Sequence, residues 1–103
     1  MTVYILRGYS GAGKSTYVKF TLPHAIRASR DTIRATLSGR SDKFVGTHQF
    51  ENMVTSVQEN IVRAAIKQDK DVVVDDTNLT KKFAMRWVNL ASRLGVPFQV
   101  VDI

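Results

Sequence analysis

Gly8-Tyr9-Ser10-Gly11-Ala12-Gly13-Lys14-Ser15 spells G-x-x-x-x-G-K-[ST], the pattern of a loop that wraps phosphate oxygens. Small residues let successive backbone N–H groups point inward, and the helix that follows presents its positive N-terminal end. Lys14 is expected to reach the β- and γ-phosphates of a nucleotide such as ATP, and the Ser15 hydroxyl to ligate magnesium. Gly8, Gly11 and Gly13 suit such a loop because a Cβ there would block close approach or require a positive φ.

Four further residues could do chemistry. Asp75 and Asp76 end an apolar run, where a carboxylate can hold or orient magnesium. Adjacent side chains on a strand point opposite ways, so one of the pair faces the site, and spacing alone does not say which. Asp31 opens a predicted helix, where it could cap the helix or accept a proton from an attacking hydroxyl. Arg34 lies three residues on, on the same helical face. A guanidinium beside a catalytic acid makes sense when the acceptor carries a phosphate of its own.

Elements that would position these groups alternate along the chain. Val3-Tyr4-Ile5-Leu6 reads as a strand leading into the loop, and Thr16 to Leu22 as a helix stopped by Pro23. Ala25 to Ala28 reads as a short second strand. Asp31 is expected to N-cap a two-turn helix carrying Ile33, Arg34 and Leu37 and ending near Gly39. Ser38 to Gly46 reads as a loop. Phe50, Met53, Val54, Val57, Ile61 and Ala65 predict one buried face of a long helix from about Thr47 to Lys67. Val72-Val73-Val74 is a β-branched run of the kind buried on both faces. Thr80 is placed to cap a last helix with a buried stripe of Phe83, Trp87, Leu90, Ala91 and Leu94, ended by Gly95. Phe98 to Ile103 reads as a fourth strand. Strands joined by helices imply a parallel sheet covered on both faces, with ligands bound beyond the carboxyl ends of the strands. That rule gathers the loop, Arg30-Asp31 and Asp75-Asp76 at one rim.

The 103 residues suit one domain, and the apolar content is ordinary for a globular chain. No apolar run approaches the ~18 residues of a membrane span. A strand begins almost at once, leaving no room for a signal peptide, and cysteine is absent. These features predict a cytoplasmic protein without a membrane partner. The formal net charge of +6 points to a polyanionic partner. Arg27, Arg30, Arg34, Arg40 and Lys43 crowd one segment, and Lys81, Lys82, Arg86 and Arg93 fall on the last helix. His24 and His48 are isolated and carry no expected role.

Gly-x-x-Gly-x-Gly-Lys-Ser-Thr at 8–16, Ser29-Arg30-Asp31 with Arg34, and Asp76-Thr77-Asn78-Leu79 together resemble the kinase domain of bacteriophage-type polynucleotide 5′-hydroxyl kinases. The resemblance spans nearly the whole chain in the same order. It implies an α/β architecture, a three-layer α/β/α P-loop NTPase fold with a parallel sheet. It also implies transfer of the γ-phosphate of ATP to the 5′-OH end of DNA or RNA, with magnesium. Carried over, Gly8, Ser10, Gly11, Ala12, Gly13, Lys14, Ser15 and Thr16 bind the nucleotide. Asp31 is the general base, Arg34 grips the acceptor phosphate, and Ser15 and Asp76 serve the metal. Members of that family continue into an arginine-bearing lid, a further strand and a helix, so the expectation is a fold incomplete at its C-terminus. Two other functions fit the same residues: a P-loop kinase for a small metabolite, and a nucleotide-binding module without transfer activity.

Overall fold

The β-branched run Val72-Val73-Val74 becomes a central parallel strand because it has both faces to bury, Val72 and Val74 on one side and Val73 on the other. The computed structural model describes residues 1–8, 13–39, 47–76 and 81–103, without the side chains of Ser15, Asp76 and Lys81. Its elements run β1 (Val3–Arg7), α1 (Lys14–Thr21), β2 (Ile26–Ser29), α2 (Arg30–Ser38), α3 (His48–Lys67), β3 (Val72–Asp76), α4 (Lys81–Arg93) and β4 (Phe98–Asp102). Among the described residues the sheet has the order β2-β3-β1-β4, and every pairing is parallel. Its register sets both Leu6 and Ser29 beside Asp75, so three chain segments reach the same rim.

Alternation along the strands divides the core in two. On one face Leu6 and Val73 meet Val18 of α1, with Tyr4, Tyr17, Leu22, Ala25 and Val101 around them. On the other face Val3, Ile5, Ala28, Val72 and Val74 meet Val62 and Ala65 of α3 and Ala84, Trp87, Leu90 and Ala91 of α4. The α/β expectation holds, with helices on both faces of a parallel sheet. Among the described residues, no helix is long and apolar enough to cross a membrane.

Several local expectations need correction. The second strand runs one residue later than its sequence reading. Asp31 does not cap α2: Ser29 occupies the N-cap, without a side-chain cap bond, and Asp31 lies inside the first turn. Gly39 ends that helix in the left-handed region, as its position suggested. Met53, expected in the core, is exposed, as are Phe83 and Leu94. The buried face of α3 is Val54, Gln58, Val62 and Ala65, about one position round from the expected one. The expected Thr80 cap, and Arg40 and Lys43, lie outside the described residues.

Thr47 caps α3, its hydroxyl oxygen accepting from the Phe50 N–H at 3.2 Å. Thr47→Ala removes that acceptor, and chemical denaturation is expected to register a loss of about 1 kcal/mol. An unchanged midpoint would show the cap to be replaced by solvent.

Candidate active site

The loop runs from the end of β1 to the start of α1, with a glycine at each junction. A Cβ on Gly8 would lie 3.3 Å from the Ile103 carbonyl oxygen and 3.4 Å from the Lys14 side chain. Gly13 is the N-cap of α1 with φ 90°, a backbone state that side chains disfavour. That cap contributes no side-chain hydrogen bond to the first turn, which suits a helix end that meets an anion. Thr16, in that turn, is exposed. Ser10, Gly11 and Ala12 lie outside the described residues, as does the Ser15 side chain.

Lys14 does not point into solvent. It is buried, and its Nζ donates to Asp75 Oδ1 at 2.7 Å. From the neighbouring strand, Arg27 donates to the other carboxylate oxygen through Nε, at 3.1 Å, and through Nη2. Burial pushes the Asp75 carboxyl up, but hydrogen bonds from Lys14 and Arg27 outweigh it and hold the group below its ordinary range. The paired aspartates are thus distinguished in one respect: Asp75 faces the α1 layer and the loop lysine. Asp76 pairs in register with Arg7 at the strand end.

A second cluster sits on α2. Arg34 Nη1 donates to Asp31 Oδ1 at 3.0 Å, while Nε and Nη2 donate to Glu51 of α3 at 3.0 and 2.6 Å. Arg30 reaches the same Glu51 carboxylate at 3.1 Å and also donates to Thr55 and Gln58. Gln58, fully buried, donates to the Ala28 carbonyl at 3.0 Å, tying α3 to β2. Hydrogen bonds from Arg34 lead the causes that lower the Glu51 carboxyl from 4.5 to about 2, against burial, with Arg30 adding to them. The structure therefore brings Asp31 and Arg34 together as their spacing implied.

Sequence reading missed Glu51 and Gln58, and it named Arg27 only as one of a run of basic residues. Arg27 had a visible signal, a charge between Ile26 and Ala28 in a short strand, which places it opposite the buried Ala28. Glu51 and Gln58 had none, because their partners lie 17 to 30 residues away. Of the basic segment, Arg40 and Lys43 lie outside the described residues. Arg27, Arg30 and Arg34 are each held by a carboxylate of this chain.

Residues 3–103 match the family described as an AAA domain. The chain belongs to that family. This AAA domain is 26% identical to a chain in a structure of a Pnkp1/Rnl/Hen1 complex, with a TM-score of 0.80 over 99% of its own length and 35% of the other chain. A chain in a structure of the Pnkp1/Rnl/Hen1 RNA repair complex matches in fold, at 24% identity and a TM-score of 0.78, over 99% of this chain and 33% of that one. The AAA domain thus spans about a third of the length of these solved chains. It is a kinase-like P-loop nucleotide-binding domain with a P-loop NTPase-like fold. The likeness is to P-loop kinases as a group and not specifically to the bacteriophage type.

Proposed function

We propose that this AAA domain is the nucleotide-binding part of an ATP-dependent polynucleotide 5′-hydroxyl kinase of the bacteriophage type, acting in the cytoplasm. The observation that carries the reading is the Asp31–Arg34 pair, 3.0 Å apart, on the helix that leaves the same sheet rim as Lys14. Asp31 takes the proton of the 5′-hydroxyl as its oxygen attacks the γ-phosphorus, and ADP departs. Arg34, steadied by Glu51, grips the phosphate next to that hydroxyl. Lys14 and the first turn of α1 hold the transferring phosphates.

Lys14 and Arg27 take both oxygens of Asp75, which leaves the neighbouring Asp76, at the end of the same strand, as the carboxylate that suits magnesium. Ser15 would bind the ion, and Asp76 would orient its waters. Magnesium supplies charge neutralisation on the phosphates when bound. Likeness to a chain of a Pnkp1/Rnl/Hen1 complex, and in fold to one of an RNA repair complex, supports a nucleic-acid acceptor.

A small-metabolite acceptor is the second reading. It is favoured by the internal pairing of Arg27, Arg30 and Arg34, which leaves less positive charge for a long polyanion. Transfer from γ-labelled ATP to a 5′-OH oligonucleotide, measured beside free nucleosides, separates the readings. Preference for the oligonucleotide is expected. Equal or better use of nucleosides would replace the polynucleotide reading, and ATP binding without any transfer would leave a binding module.

A further inference from the structure

Asp75 is gripped from two sides in different ways. Lys14 holds Oδ1 through one nitrogen, and Arg27 holds Oδ2 through two. Asp75 and Lys14 are buried, with side chains 7% and 6% exposed, whereas Arg27 is 38% exposed. A nucleotide phosphate and Asp75 therefore compete for one ammonium group. Drawing Lys14 away from a carboxylate with no other partner would strand a buried charge, which is costly. Arg27 removes that difficulty. It sits on β2 opposite Val73, two residues short of Asp75 along β3, and its long side chain spans the diagonal. Its guanidinium grips one carboxylate oxygen without using the face that Lys14 occupies.

We propose that Arg27 is a positioning residue for nucleotide binding: by retaining Asp75 it allows Lys14 to leave that carboxylate for a phosphate. The inference rests on the reading above, in which Lys14 takes the phosphates. It assigns Arg27 an effect exerted through Asp75 and not through contact with nucleotide. Arginine suits the task because its two-donor fork holds a carboxylate in place after the second cation has gone.

Calorimetric titration of ATP into the full chain, in EDTA so that no metal contributes, tests it as a double-mutant cycle. Arg27→Met is expected to weaken ATP binding about 10- to 100-fold, the range for losing a hydrogen-bonded charge. Asp75→Asn is expected to bind ATP at least as tightly as the natural chain, since Lys14 no longer has a carboxylate to leave. In the D75N background, R27M should change affinity by less than about twofold, because no buried charge remains to be retained. Arg27→Lys should recover part of the loss, keeping the charge without the fork.

A direct phosphate contact or a general supporting role for Arg27 predicts the same loss in both backgrounds, and that result would overturn the proposal. So would R27M binding as tightly as the natural chain. If R27M fails to fold, judged by its melting curve, the R27K comparison in both backgrounds carries the same test. Failure of the natural chain to bind ATP would bring down the nucleotide reading together with this inference. A natural chain that binds, with no coupling between Arg27 and Asp75, would remove the inference alone.

Discussion

Asp31→Asn is expected to lower the maximal rate of phosphate transfer about 10²- to 10⁴-fold while ATP affinity stays within about twofold. An amide keeps the shape of the side chain and can still accept from Arg34, but it cannot take the hydroxyl proton. Asp31 competes with no capping duty, since Ser29 holds the N-cap of α2. Its carboxylate lies in the first turn and accepts from Arg34 Nη1. Losing one charge near a helix N-terminus costs at most about 1 kcal/mol, so the variant should melt close to the natural chain. Single-turnover transfer to a 5′-OH oligonucleotide reads the effect. A rate within threefold of the natural chain would remove Asp31 from the chemistry.

Glu51→Gln is expected to cost about 3 kcal/mol of folding stability at pH 7. Glu51 holds its proton with a pKa of about 2, against 4.5 ordinarily, because Arg34 and Arg30 donate to the carboxylate. At 1.36 kcal/mol per pH unit, that gap corresponds to roughly 3 kcal/mol. The sign follows from the direction of the shift. A depressed acid stabilises the fold fully above its unfolded value of 4.5, and the contribution drains away as pH falls toward about 2. Denaturation curves of the natural chain and E51Q should therefore lie far apart at pH 7, draw together as pH falls below 4.5, and converge only below about pH 2. Other carboxylates titrate in both proteins and cancel in the difference. A gap that does not depend on pH would mean that Glu51 acts by packing and not by charge. Because Glu51 also fixes Arg34, the variant should raise KM for the acceptor as well.

The parts of this molecule that sequence displayed were those written in local pattern. The valine run of β3, Gly13 at the head of α1, the span of α3 and the stop at Gly39 all follow from neighbours within a few residues. Helix faces were less legible. The apolar band on α3 is broad, and its centre is occupied by Gln58, a polar residue whose burial depends on the Ala28 carbonyl and Arg30. Reading from apolar residues alone therefore turned the face toward Met53. In α4, Phe83 and Leu94 flank the true stripe of Ala84, Trp87, Leu90 and Ala91, and size drew attention away from the small residues that pack closest. The site divides the same way. Lys14, Asp31 and Arg34 stand in short motifs, whereas Arg27 and Glu51 acquire meaning only once β2 lies beside β3 and α3 lies across α2.

Parallel pairing of β2, β3 and β1 has one more effect, on molecules that fold incorrectly. Slipping β3 by a single residue would rotate Asp75 away from Lys14 and Arg27 and thrust it among Ile5, Val62 and Trp87. Such a misassembled copy would be both inert and unstable, shedding its apolar layer to solvent, where chaperones and proteases find their clients. Quality control of this chain and preservation of its chemistry thus come down to a single act of alignment.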